Sequence, residues 1–156
     1  MRRLHKLAVS TFCLEQRGRL QEPQDKLYQD GMKVRRHILG NEHVDRSVAR
    51  TTKHNKEFID LIVRYGWGEI WTRPGLDYRE RRMLVLGTMM ALGRWEEFTM
   101  HLRAALVGQM SIADIKEVFL QQAIYCGVPV ANTAHHHLEA IMNELKEKGV
   151  NLVGDE

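Results

Sequence analysis

Apolar residues recur every three to four positions along most of this chain, the interval of helix faces. Gln24–Leu39 carries Leu27, Met32, Val34 and Ile38 at that spacing, weakened by Gly31 and stopped by Gly40. Asn55–Tyr65 puts Phe58, Ile59, Ile62 and Val63 on one face and is ended by Gly66. The stretch WGEIWTRPGL follows, a compact aromatic segment broken by Pro74 and Gly75.

Asp77 with Glu80 has the form of a capping box, opening a helix through Met83, Leu84, Leu86, Met89, Met90 and Leu92 to Gly93. The next helix runs from Trp95 through Phe98, His101, Leu102, Ala105 and Leu106 to Gly108. Ser111 with Asp114 forms a second capping pair. It starts a helix that places Ile115, Val118, Phe119 and Ile124 in the core and stops at Gly127. Pro129 suits the first turn of the last helix, which shows Leu138, Ile141, Met142 and Leu145 before Gly149. No stretch alternates as a strand between turn signals. The expected class is all-α.

Composition narrows this picture only a little. A chain of 156 residues fits one domain, expected over residues 24–150, with an extension before it (1–23) and a short tail after it (151–156). The net charge of +3 is carried by residues 1–22, so the body is formally neutral and offers nucleic acid no electrostatic footprint. The extension has a basic start and a short apolar patch without a clear cleavage site. It reads as a disordered or non-native segment rather than a secretory signal. Two cysteines, Cys13 and Cys126, make no disulfide framework and point to a reducing cytoplasm. No apolar run reaches the ~20 residues that span a bilayer. Eight methionines and the Trp67/Trp71 pair can fill a core or a subunit interface, so a homo-oligomer is compatible with the chain.

The chemistry-bearing residues concentrate between Glu117 and His136. Glu117 is a carboxylate among apolar neighbours, where the bland alternative is a solvated acid favoured by the helix dipole. His101 interrupts another apolar face, a pattern that usually means a satisfied core histidine. His135, His136 and His137 fan out by ~100° each, so they cannot form a metal triad. There is no HExxH, CxxC, GxGxxG or P-loop, and no cofactor or metal is expected. Cys126 has no nearby partner cysteine and reads first as an inert thiol.

Four blocks carry a family resemblance: GMKVRRHILGNEHVDRS (31–47), WGEIWTRPGL (67–76), RRMLVLGTMMALGRWEEFTMHLRAAL (81–106) and IKEVFLQQAIYCGVPVANTAHHH (115–137). In them the chain resembles the 4-carboxymuconolactone decarboxylases, within the superfamily that includes alkylhydroperoxidase D. The resemblance spans roughly residues 25–148. It implies an alkylhydroperoxidase D-like helical protomer in a ring-like trimer or hexamer. It also implies conversion of 4-carboxymuconolactone to β-ketoadipate enol-lactone and CO2, in the protocatechuate branch of aromatic catabolism. In the alkylhydroperoxidase branch a glutamate is followed by a Cys-x-x-Cys pair and a histidine. The corresponding positions here are Glu117, Pro129, Asn132 and His136. The acid and the imidazole persist while the dithiol is absent, so a thiolate–disulfide cycle is closed to that site.

Such a decarboxylation needs a donor for the lactone oxygen, an acid to protonate carbon, and a cation for the carboxylate that stays. The candidates are His101 or His136 as donor, with Glu117 orienting the imidazole or crowding the departing carboxylate. Arg73 is first choice for the retained carboxylate, with Arg46 and Arg103 as alternatives. Trp71, Tyr125, Cys126 and Asn132 would shape the pocket, and His43 with Arg46 would reach a neighbouring subunit. The partner expected is a small dicarboxylate lactone, with no nucleic acid or membrane. Rival readings are a decarboxylase of different substrate, a one-cysteine peroxidase using Cys126, and a non-enzymatic oligomeric module of the same fold.

Overall fold

The computed structural model describes residues 26–108 and 110–152, and all regular structure among them is helical. The expectations for residues 1–23, Gln24 and Cys13 lie outside the described residues, as does most of the short C-terminal tail. Helix α1 covers residues 26–39 and ends at Gly40, whose φ of 83° is the left-handed conformation that a glycine stop supplies. The others are α2 (Asn41–Ala49), α3 (Lys56–Leu61), α4 (Tyr78–Ala91), α5 (Trp95–Leu106), α6 (Ile112–Tyr125) and α7 (Val128–Glu147). A π-helical segment, Ile62–Ile70, continues α3 without a break. No helix among the described residues is long and apolar enough to cross a membrane.

The chain divides into two compact units. One comprises the chain up to His37 together with Val44–Arg73. There α1 meets the π-helical segment at backbone distance: a Cβ on Gly31 would fall on Val63 O and 2.9 Å from Gly68 N. Trp67 is buried and packs on Trp71 with ring centroids 4.9 Å apart. Arg35 Nη2 donates to Ser47 Oγ at 2.8 Å and Arg36 pairs with Asp45 at 2.8 Å, tying α1 to α2. The expected end at Gly66 is corrected here. Trp71 N–H bonds to Gly66 O at 3.1 Å, five residues back, so the wider turn carries the helix through the glycines. Helix α2 is not among the elements expected from periodicity, which place no helix between Gly40 and Asn55.

The second unit comprises Ile38–His43 and Pro74–Glu156. Helix α4 packs on α5, α6 and α7, with α7 also against α5 and α6. Leu86, Met90, Phe98, Leu102, Ile115, Phe119, Leu138 and Ile141 fill its core. Both capping boxes form. Asp77 Oδ1 accepts from Glu80 N at 2.7 Å while Glu80 Oε2 accepts from Asp77 N at 2.8 Å. Ser111 and Asp114 make the same reciprocal pair, and Arg79 Nη2 adds an ion pair to Asp114 at 2.6 Å. One core assignment fails: Ile124 is 81% exposed. It stands about 140° around the α6 axis from Phe119, at ~100° per residue, off the stripe that Ile115, Val118 and Phe119 bury.

Candidate active site

Two places in the second unit hold chemistry, and α4 separates them. On one side is His101. The capping box starts α4 so that Arg82, 1% exposed, turns inward against α5. Arg82 Nη1 donates to His101 O at 2.9 Å and lies 3.3 Å from His101 Nδ1, while Nη2 donates to Ile38 O at 2.7 Å. A guanidinium has only donors, so Nδ1 accepts and the imidazole proton resides on Nε2. Burial pushes His101 down to about 3, helped by the Arg82 and His43 charges, so the ring is neutral at ordinary pH. Burial also lowers Arg82, to about 10, which leaves it charged.

On the opposite side of α4 a groove of about 650 Å³ opens against α6. Met83, Leu84 and Gly87 of α4 face Glu117, Val118 and Gln122 of α6 across it. Its walls are mainly apolar, and Glu117 is the exposed acid at its α6 edge. Cys126 Sγ donates to Gln122 Oε1 at 2.9 Å. Gly87 lies against the end of the Gln122 side chain, since a Cβ there would come 2.7 Å from Nε2 and that side chain would have to shift.

Helices α6 and α7 form an antiparallel hairpin about Gly127, whose φ of 97° makes the turn. His135 meets Phe119 edge-on, centroids 5.0 Å apart, and this contact fixes the register of the pair. Glu117 is ten residues before Gly127 and His136 nine after it, so at ~1.5 Å per residue the two stand level. Both are exposed, as is Asn132 one turn before His136. His137 instead stacks on Trp95, centroids 5.3 Å apart. The three consecutive histidines thus diverge, as their helical spacing requires.

The remaining candidates are spread more widely. Tyr125 is 77% exposed at the hairpin turn and Cys126 is half-buried beside it. Arg103 is engaged, its Nη2 2.6 Å from Glu144 Oε2. Trp71, Arg73 and Arg46 belong to the other unit, where Arg73 Nη1 lies 3.9 Å from Glu69 Oε1 and Arg46 is exposed on α2. The expected partnership of Glu117 with His101 is not formed in the protomer. Arg82 and His43 are the charges acting on His101, and Arg82 takes the orienting place. Sequence reasoning passed over Arg82 because one of two adjacent arginines reads as a solvated surface residue. Its signal lay in position: Arg82 falls four residues before the buried Leu86, on the same helix face. Among the described residues no group of three or more His, Cys, Asp or Glu side chains could hold a metal ion.

Residues 56–140 match the carboxymuconolactone decarboxylase family. The chain is 36% identical over 121 residues to a 4-carboxymuconolactone decarboxylase of Acinetobacter baylyi, covering 78% of this chain and 90% of that protein. It is 33% identical over 124 residues to a nitrosuccinic acid decarboxylase of Metarhizium robertsii, covering 80% of this chain and 87% of that protein. A 42-residue stretch is 43% identical to a 4-carboxymuconolactone decarboxylase of Pseudomonas putida.

Proposed function

This chain belongs to the carboxymuconolactone decarboxylase family, and we propose that it is a carboxy-lyase converting 4-carboxymuconolactone to β-ketoadipate enol-lactone and CO2. The observation that carries the reading is the groove of α4 and α6, where apolar walls and the Glu117 carboxylate meet. A carboxylate placed there is disfavoured by desolvation and by like charge, whereas neutral CO2 is not. The electrons left behind spread into the unsaturated lactone, so the step calls for no cofactor. His136, level with Glu117 across the hairpin, is the proton donor to carbon. His101 is neutral and held on the far side of α4, which suits a core role better than acid catalysis.

The retained carboxylate calls for an arginine, and Arg73 is the first to test. The protein acts as a homo-oligomer, trimer or hexamer, and the exposed Leu120, Ile124 and Val128 supply apolar surface for it. A second substrate reading rests on the Metarhizium robertsii relative: another activated dicarboxylic acid in the same groove. Ultraviolet monitoring of enol-lactone formation from freshly generated 4-carboxymuconolactone, beside the same assay on nitrosuccinate, separates the two. CO2 release from neither substrate overturns the proposed activity.

A further inference from the structure

The groove holds a hydrogen-bond donor that the roles above leave unused. We infer that the Gln122 side-chain amide is the donor that stabilises the lactone oxygen as it gains charge, with Cys126 positioning it. The inference rests on the proposed decarboxylation and deepens it.

Three observations converge on this amide. Gln122 lines the groove together with Glu117, one and a half turns away on α6. The Cys126 thiol donates to Oε1 at 2.9 Å, and a thiol hydrogen needs an acceptor, so the carbonyl end of the amide faces Cys126 and the NH2 end faces away. That NH2 end lies over Gly87, which itself lines the groove, and a Cβ at position 87 would come within 2.7 Å of it. Among the described residues no acceptor is bonded to Nε2. With no side chain at position 87, the Gln122 amide end lies directly against α4.

Loss of CO2 breaks the carbon–carboxylate bond and moves its electron pair through the ring unsaturation onto the lactone carbonyl oxygen. A neutral amide donor suits that oxygen: it gains strength as charge develops, yet does not neutralise Glu117 or bind the departing carboxylate as a cation would. Cys126 has a positioning role only. It transfers no electrons and forms no bond to substrate.

The test compares four variants by kcat and KM on 4-carboxymuconolactone. Gln122→Leu should lower kcat by ~10²–10³ with KM little changed, the loss expected for one oxyanion donor. Gln122→Glu should lose as much, because it keeps the shape and removes the donor. Cys126→Ala should lower kcat less, and Cys126→Ser, which still donates to Oε1, should restore it. Wild-type kcat in Gln122→Leu, or equal activity of Cys126→Ala and Cys126→Ser, overturns the inference. Titration of the wild-type protein with the enol-lactone product, read at the Gln122 side-chain amide protons, checks it without turnover. Unmoved amide signals at saturating product sink the contact. Moved signals alongside absent CO2 release would instead fault the assigned activity and keep the contact.

Discussion

Gly31 and Gly68 let two helices touch backbone to backbone: a Cβ on Gly31 would reach 2.9 Å from Gly68 N, and one on Gly68 would overlap Leu27 O. The obstacles are main-chain atoms, which cannot rotate aside as a side chain can. Gly31→Ala and Gly68→Ala should therefore each destabilise by about 2–4 kcal/mol, although alanine is the better helix former. Urea midpoints of the two variants measure it. Wild-type stability in either would mean that the helices stand further apart.

Burial of a neutral His101 beside Arg82 makes stability depend on pH in a defined direction. The unfolded chain takes up this proton near 6.5 and the folded chain only near about 3. Stability is full above the upper value and is lost as pH falls through that window, by an amount on the order of 2–4 kcal/mol. His101→Asn keeps an acceptor for Arg82 and removes the titration. It should be the less stable protein at about pH 7, and the gap to wild type should narrow toward about pH 4. A gap independent of pH would show that His101 is not held neutral.

The helices themselves were legible because their signals are local. Asp77/Glu80 and Ser111/Asp114 are reciprocal pairs three residues apart, and each forms as its spacing implies. What escaped depends on partners distant in sequence. Arg82 is inward only because carbonyls of Ile38 and His101, 44 and 19 residues away, accept from it. Gly66 reads as a stop until α1 arrives to pack against Gly68 and the wider π turn carries the chain on. Ile124 is apolar, yet the α6 stripe is fixed by Ile115 and Phe119, and it falls outside. Of the candidate site, Glu117 and His136 were readable as an acid and an imidazole on either side of one helix break. The groove was not, since half of it is α4.

Arg103 and Arg73 should respond differently to neutralisation. Arg103 is closed onto Glu144 at 2.6 Å, and the two arginine and lysine partners of that carboxylate hold it down at about 2. The pair is solvent-exposed and screened, so Arg103→Gln should leave both stability and KM close to wild type. Arg73, held by Glu69 at a longer 3.9 Å, should on Arg73→Gln raise KM for the dicarboxylate roughly 10-fold or more with a stable fold. Steady-state kinetics of the two variants decide between them, and a KM effect confined to Arg103→Gln would reverse the assignment.

The role of Glu117 can be read from the direction in which KM moves. If its carboxylate repels the departing carboxylate, it weakens ground-state binding and lowers the barrier by the same contact. Glu117→Gln keeps the volume in the groove and removes the charge. Both kcat and KM should then fall, kcat by ~10–100-fold, the signature of relieved ground-state strain. Were Glu117 instead to orient His136, kcat would fall with KM unchanged, because the substrate would bind as before and meet a misaligned donor. Glu117→Asp sharpens the contrast: it keeps the charge but withdraws it by one methylene from the groove wall formed by Met83 and Leu84. A through-space repulsion should survive that withdrawal in part, whereas a hydrogen bond to an imidazole should not. An unchanged kcat in Glu117→Gln would remove Glu117 from the chemistry altogether and with it the reason for placing the reaction in this groove.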